Sequence, residues 1–168
     1  GLGSVVLPKA KGDFHPLKAW DFIYEEALKL ENKLTILAIA PLTNIAHLLT
    51  MHPDVKDHIH QIILMGGNLS INNEDKNAEF NFWADPAAAK IVFESGIPIV
   101  MAGFQITKIM GISLDFISKI TSGSQSTYAK VLSDFIDSYK DNEKNKEGKD
   151  SSVVHDAIAI MYAIDPDG

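Results

Sequence analysis

The stretch Leu34-Thr35-Ile36-Leu37-Ala38-Ile39-Ala40-Pro41-Leu42-Thr43-Asn44-Ile45-Ala46-His47-Leu48-Leu49 decides the fold class. From Leu34 to Ala40 the chain is a nearly solid apolar run, too short for a typical helix and closed by Pro41. Such a run reads as a strand of a parallel sheet, buried on both faces. Directly after it, Asn44 or Thr43 can cap a helix carrying Ile45, Leu48 and Leu49.

The same alternation extends in both directions. Pro16 opens a segment with Leu17, Trp20, Ile23, Ala27 and Leu30 at helical spacing. A second strand, Ile62 to Met65, runs into Gly66-Gly67, and the polar stretch Asn68 to Ala78 lacks a period and reads as a loop. Asp85 caps the next helix, Pro86 takes its first position, and Gly96 follows its end. Ile97 to Ala102 is a third strand. Another helix lies near Thr127 to Tyr139, the mixed-charge stretch Asp141 to Asp150 reads as a loop, and Val153 to Ile164 is a helix. That last helix is apolar on most sides and is expected to be largely buried. Strands alternating with helices imply an α/β fold, a Rossmann-like and mostly parallel sheet flanked by helices. With no repeat and no linker, residues 1–168 are expected to form a single domain.

Composition limits the functions. The 168 residues hold 15 Lys+Arg against 22 Asp+Glu, a formal net charge of −7. This argues against nucleic acid or an anionic membrane as partner, since a phosphate backbone requires a basic stripe. The chain has no cysteine, which excludes thiol catalysis, Cys-ligated zinc and disulfides, and favours a reducing compartment. No run approaches the ~20 apolar residues of a membrane span.

Ligands of open α/β sheets gather beyond the carboxyl ends of the strands. Thr43 and Asn44 follow the first strand. Gly66, Gly67 and Asn68 follow the second, with Asn72, Asn73, Asn77, Glu79 and Asn81 beyond them. Gly103, Gln105 and Thr107 follow the third. Uncharged donors and acceptors beside one carboxylate suit a hydroxyl-rich ligand such as a sugar, whereas a phosphate calls for Lys or Arg. The same Asn residues are also good turn formers. His155-Asp156 opens the last helix, where Asp is favoured by the helix dipole and is a hard ligand for calcium or magnesium. A helix cap beside a surface histidine is the plainer account of the pair. His52, His58 and His60 flank Pro53-Asp54 in a polar connection and read as solvated rather than ligating.

Three blocks resemble a known family. The first is Leu37-Ala38-Ile39-Ala40-Pro41-Leu42-Thr43-Asn44-Ile45-Ala46. The second joins Ile63-Leu64-Met65-Gly66-Gly67 to Asn77-Ala78-Glu79-Phe80-Asn81-Phe82-Trp83-Ala84-Asp85-Pro86-Ala87-Ala88, and the third is Val154-His155-Asp156-Ala157. In order and spacing they are similar to the inosine–uridine preferring nucleoside hydrolases. The resemblance implies hydrolysis of the N-glycosidic bond of a ribonucleoside to ribose and free base. In that family a calcium ion holds the attacking water and the ribose diol, and the oxocarbenium-like transition state needs stabilising. Carried over by position, Asp156 is a calcium ligand that also contacts ribose, and Ile39 offers its backbone carbonyl to the metal. Asn73 and Glu79 hold the 5′-hydroxyl, Asn81 contacts the lower hydroxyls, Met65 packs on the sugar, and His155 assists the leaving base. A cytoplasmic homo-oligomer serving nucleoside salvage is the matching expectation.

The resemblance also leaves gaps. The family's Asp-rich calcium motif would precede Gly1, its C-terminal helices would follow Gly168, and Gln105 and Lys108 stand where many members have Asp and His. The expectation is therefore a central fragment, inactive alone and prone to self-association through an exposed sheet edge. The alternative is a non-catalytic remnant that binds ribose or a partner.

Overall fold

The computed structural model describes residues 5–69, 78–144 and 151–167. Two compact units emerge, His15–Ile109 with His155–Gly168, and Gly1–Phe14 with Met110–Val154.

The larger unit contains α1 (Ala19–Lys29), β1 (Leu34–Ala38), α2 (Thr43–Met51), a 3-10 turn (Pro53–His58), β2 (Ile59–Met65), α3 (Phe80–Ala84), α4 (Pro86–Phe93), β3 (Ile99–Ala102), α5 (Phe104–Thr107) and α8 (His155–Ile164). Its three strands lie in the order β1-β2-β3 and both pairings are parallel, with Ile62 opposite Ile36 on one side and Ile99 on the other. The α/β class with helices flanking a parallel sheet is therefore borne out. Side chains alternate along β2. Ile62 and Leu64 enter a core with Ile36, Leu48, Ala88 and Val92, whereas Ile63 and Met65 join Ala102 and Ala159. This period of two from an unbroken apolar run is what a centrally placed strand requires.

β1 lies at the edge of this sheet, and Leu37 and Ile39 remain 44% and 40% exposed. Beneath it, α1 and α2 are tied by ring contacts, with Trp20 stacked on His47 at 4.6 Å and Tyr24 on His52 at 4.0 Å. His52 also reaches Asp21 at 3.0 Å, so it is a packed connector and not the solvated residue its polar surroundings suggest.

Several boundaries differ from the sequence reading. Neither Thr43 nor Asn44 caps α2. Leu42 occupies the cap, and the Thr43 hydroxyl instead donates to Asp85 Oδ2 at 2.6 Å. Asp85 does cap α4, its Oδ1 accepting from the Ala88 N–H at 3.0 Å, with Pro86 next in line. The two bonds, Thr43 first and Ala88 second, hold the Asp85 carboxyl below its ordinary 3.8. A depressed carboxylate adds stability that is present above the unfolded value and lost as pH falls through the folded one. Asp85→Ala is thus expected to lower the thermal midpoint at neutral pH and to flatten its acid limb. An unchanged acid limb in a melting series from neutral to acid pH would contradict this role.

The last helix is also different. It starts at His155, because Val153 belongs to a strand, and only Ala159 is fully buried, while Met161 and Ile164 are 52% and 79% exposed. An all-round apolar composition reported burial that only one stripe of the helix achieves.

The smaller unit comprises β4 (Gly111–Ser113), α6 (Leu114–Ser122), α7 (Thr127–Lys144) and β5 (Ser151–Val153). β4 and β5 pair antiparallel, Ile112 opposite Ser152. Ser113 caps α6 through the Phe116 N–H at 3.4 Å. α7 continues through Asp141 to Lys144, a stretch whose charges suggested a loop.

Candidate active site

The carboxyl ends of the three strands and the start of α8 define the site in the larger unit. β2 ends at Met65 and turns through Gly66 and Gly67. Gly67 has φ +76°, a left-handed conformation that a side chain resists. Gly66 faces the Phe82 ring so closely that an added Cβ would stand 2.5 Å from it. The Gly67 carbonyl then accepts from the Phe104 N–H at 2.9 Å, joining this turn to the segment after β3.

Glu79 organises the return of the chain. It is 9% exposed and is the N-cap of α3. Oε2 accepts from the N–H groups of Gly67 at 3.0 Å and Phe82 at 3.2 Å, and Oε1 accepts from that of Asn81 at 2.9 Å. A carboxylate is the side chain able to take all three, since both its oxygens only accept. Glu79→Gln replaces one acceptor by a donor pointing at an N–H, so a loss of ~1–3 kcal/mol is expected for the buried group left unpaired. Equal urea midpoints for the two proteins would contradict that.

Asn81, also 9% exposed, donates from Nδ2 to the Met65 carbonyl at 2.9 Å and approaches Met65 Sδ at 3.7 Å. Met65 is itself buried, in the cluster with Ala159 of α8. Ile39 follows the last residue of β1, so its carbonyl lies at a strand's carboxyl end. Asn73, with Asn72 and Asn77, lies outside the described residues.

His155 and Asp156 are the first two residues of α8, which packs on all three strands and on α5. His155 Nδ1 lies 2.7 Å from Thr107 Oγ1, and its ring stacks on Phe104 at 5.6 Å. Asp156 is half-buried. Burial raises its carboxyl above the ordinary range, His155 draws it down, and the nearby negative charge of Glu79 adds to the rise.

The structure thus brings Met65, Glu79, Asn81, His155 and Asp156 to one end of the sheet. That Glu79 is a helix cap is not evident from the polar stretch around it, although its place one residue before Phe80 is a usable signal. Nor does the sequence single out Thr107 as the partner of His155. The two departures have local roles. Gln105 Nε2 donates to Asn68 Oδ1, and Lys108 Nζ sits 5.7 Å above the Phe104 ring. Among the described residues no three His, Asp or Glu side chains form a metal-holding group.

The carboxyl edge of the parallel sheet thus presents an Asn and a Glu, with a His-Asp pair from the last helix beside them. The sequence profile of the inosine-uridine preferring nucleoside hydrolases matches residues 1–168. The pyrimidine-specific ribonucleoside hydrolase RihA of Photobacterium profundum is 34% identical over 170 residues, covering 99% of this chain and 54% of that protein. Among solved structures, the purine-preferring ribonucleoside hydrolase from Gardnerella vaginalis superposes with a TM-score of 0.84 at 32% identity, covering 98% of this chain and 52% of that one. A plant nucleoside hydrolase, the PpNRh1 enzyme, gives a TM-score of 0.84 at 27% identity, with the same coverage of both chains. The chain belongs to the inosine-uridine preferring nucleoside hydrolase family and spans about half the length of these relatives.

Proposed function

We propose that this chain forms the ribose-binding part of a calcium-dependent ribonucleoside N-glycosidase. The observation that carries the reading is the gathering of Glu79, Asn81, His155 and Asp156 at the strand ends.

Calcium fits the kind of donor present. Asp156 supplies a hard carboxylate and Ile39 a backbone carbonyl, two of the roughly six to eight oxygens the ion takes. The others would come from the part of such an enzyme that this chain does not span. When bound, the ion would polarise water and the ribose hydroxyls. The chain's own residues do the rest. Asn81, fixed through Nδ2 to the Met65 carbonyl, presents its amide toward the lower hydroxyls, and Asp156 accepts from one of them. Glu79 sets the Gly66-Gly67 turn against α3 and, with Asn73, holds the 5′-hydroxyl. Met65 packs under the sugar. His155 lends a proton or a hydrogen bond to the departing base, a contribution of typically about 10²–10⁴-fold for a well-placed acid. Water-excluding apolar neighbours such as Phe82 and Phe104 raise the value of every polar contact.

The alternative of a ribose- or partner-binding remnant without catalysis shares the same sugar contacts. Reducing-sugar release from uridine and inosine separates the two, using this chain extended to its relatives' length. Turnover lost to a chelator and restored by calcium is the expected result. No release, or release indifferent to the chelator, would overturn the calcium-hydrolase reading. A cytoplasmic setting within nucleoside salvage, and self-association through the open β1 edge into homo-oligomers, complete the proposal.

A further inference from the structure

α5 is a single turn that meets His155 from two directions. Phe104, its first residue, lies against the imidazole with ring centroids 5.6 Å apart and planes 22° from parallel. Thr107, its last, has no exposed surface and brings Oγ1 within 2.7 Å of His155 Nδ1. A buried hydroxyl has one hydrogen, and it must go to a neighbouring acceptor. Among the described residues two are hydrogen-bonded to it, His155 Nδ1 and the Phe104 carbonyl, the latter at 3.4 Å. The Phe104 carbonyl also accepts from the Lys108 N–H at 3.0 Å, and at 3.4 Å from Oγ1 it lies beyond the range of a good O–H···O bond. The short contact makes Nδ1 the better-placed acceptor for the hydroxyl hydrogen. An imidazole that accepts at Nδ1 carries its own proton on Nε2 when neutral.

We propose that Thr107 is the positioning residue for His155: from its buried place at the end of α5 it donates to Nδ1 and keeps the neutral imidazole's proton on Nε2. The inference deepens the reading of His155 as the group beside the departing base and rests on it for its functional meaning. It adds a specificity. The nitrogen that α5 leaves unengaged is a donor, so it matches a base edge that offers an acceptor lone pair, whether ring nitrogen or carbonyl oxygen. Phe104 fixes the ring plane and Thr107 fixes the ring's rotation within that plane, and together they define where the Nε2 proton is aimed.

The test uses the full chain labelled with nitrogen-15, with the imidazole neutral, and needs no turnover. Comparison with His155→Asn assigns the His155 ring nitrogens. The expected spectrum shows Nε2 protonated and Nδ1 unprotonated, the latter displaced from a free acceptor nitrogen by the bond it receives. Thr107→Val keeps the shape and removes the hydroxyl, and should move the Nδ1 resonance to the unbonded position. Thr107→Ser should restore it. A proton on Nδ1 in the unmodified chain overturns the proposal, as does an Nδ1 resonance that Thr107→Val leaves in place. The protonation site of the unmodified chain is decisive even if the valine variant does not fold. Failure of nucleoside hydrolysis would leave these spectra as they are, so the two readings stand or fall separately.

Discussion

Asp156→Ala, in a protein extending this chain to its relatives' length, is expected to weaken calcium binding and to cut ribose release by at least ~100-fold. The size follows from what the side chain does. Even residues that merely orient metal ligands cost about 10–100-fold in affinity or activity when changed, and a direct carboxylate ligand should cost more. Asp156 is also the one described carboxylate at the site that is not committed to backbone N–H groups in the way Glu79 is. Burial raises it, His155 draws it down and the charge of Glu79 raises it, and removing it leaves the site less anionic as well as one oxygen short. Because Asp156 opens α8, some loss of helix-dipole stabilisation accompanies the change, about 0.3–1 kcal/mol. Asp156→Asn keeps the shape and isolates the charge. Calorimetric calcium titration with a parallel sugar assay reads both effects. Retained calcium affinity and turnover in both variants would refute the assignment.

The second large effect is on stability. Leu48 lies on the buried side of α2, has no exposed surface, and packs in the cluster of Ile36, Ile62 and Val92. Leu48→Ala removes apolar atoms from a site that neighbouring strands and α4 cannot easily refill. A loss of ~2–5 kcal/mol is expected, transfer and cavity terms together. Leu28, on α1 and 47% exposed, provides the contrast, since substitutions at such positions usually stay within about 0.5 kcal/mol. Urea melts of the two variants read the difference directly. Similar midpoints for both would mean that the core does not lie where burial places it.

The parts of this fold visible in the sequence share a cause. β1, β2 and β3 are short apolar runs stopped by Pro41, Gly66 and Gly103, although only the central β2 is buried on both faces, β1 leaving Leu37 and Ile39 exposed. The α4 start was equally plain, because Asp85-Pro86 satisfies an orphan N–H and presets the backbone at once. The α2 cap was misjudged because capping propensity is local, whereas Thr43 is claimed by a carboxylate 42 residues away. α8 was expected to be buried since its composition is apolar on most sides, but composition does not say how many neighbours a helix has. The β4–β5 ladder escaped notice because Ser151 and Ser152 carry no hydrophobic pattern, and a pairing across so long a stretch of chain has no local signature.

The candidate site was legible in kind. Asn81 and Glu79 stood out as polar groups beyond a strand, and His155-Asp156 as polar groups opening an apolar helix. Their partners were not, because the bond from Asn81 to the Met65 carbonyl, the bond from the Gly67 N–H to Glu79 and the contact between Thr107 and His155 exist only once the strands are aligned. Asn73 lies outside the described residues, so its place beside Glu79 stands with the proposal.

The most direct measurement is ribose release from uridine and inosine, with calcium present, by this 168-residue chain and by the same chain extended to its relatives' length. Turnover is expected from the extended protein and none from the chain alone, whose described residues supply one free carboxylate and one carbonyl where calcium takes about six to eight oxygens. Turnover by the chain alone would contradict this, and would place the remaining metal ligands and the base among residues assigned here to structure.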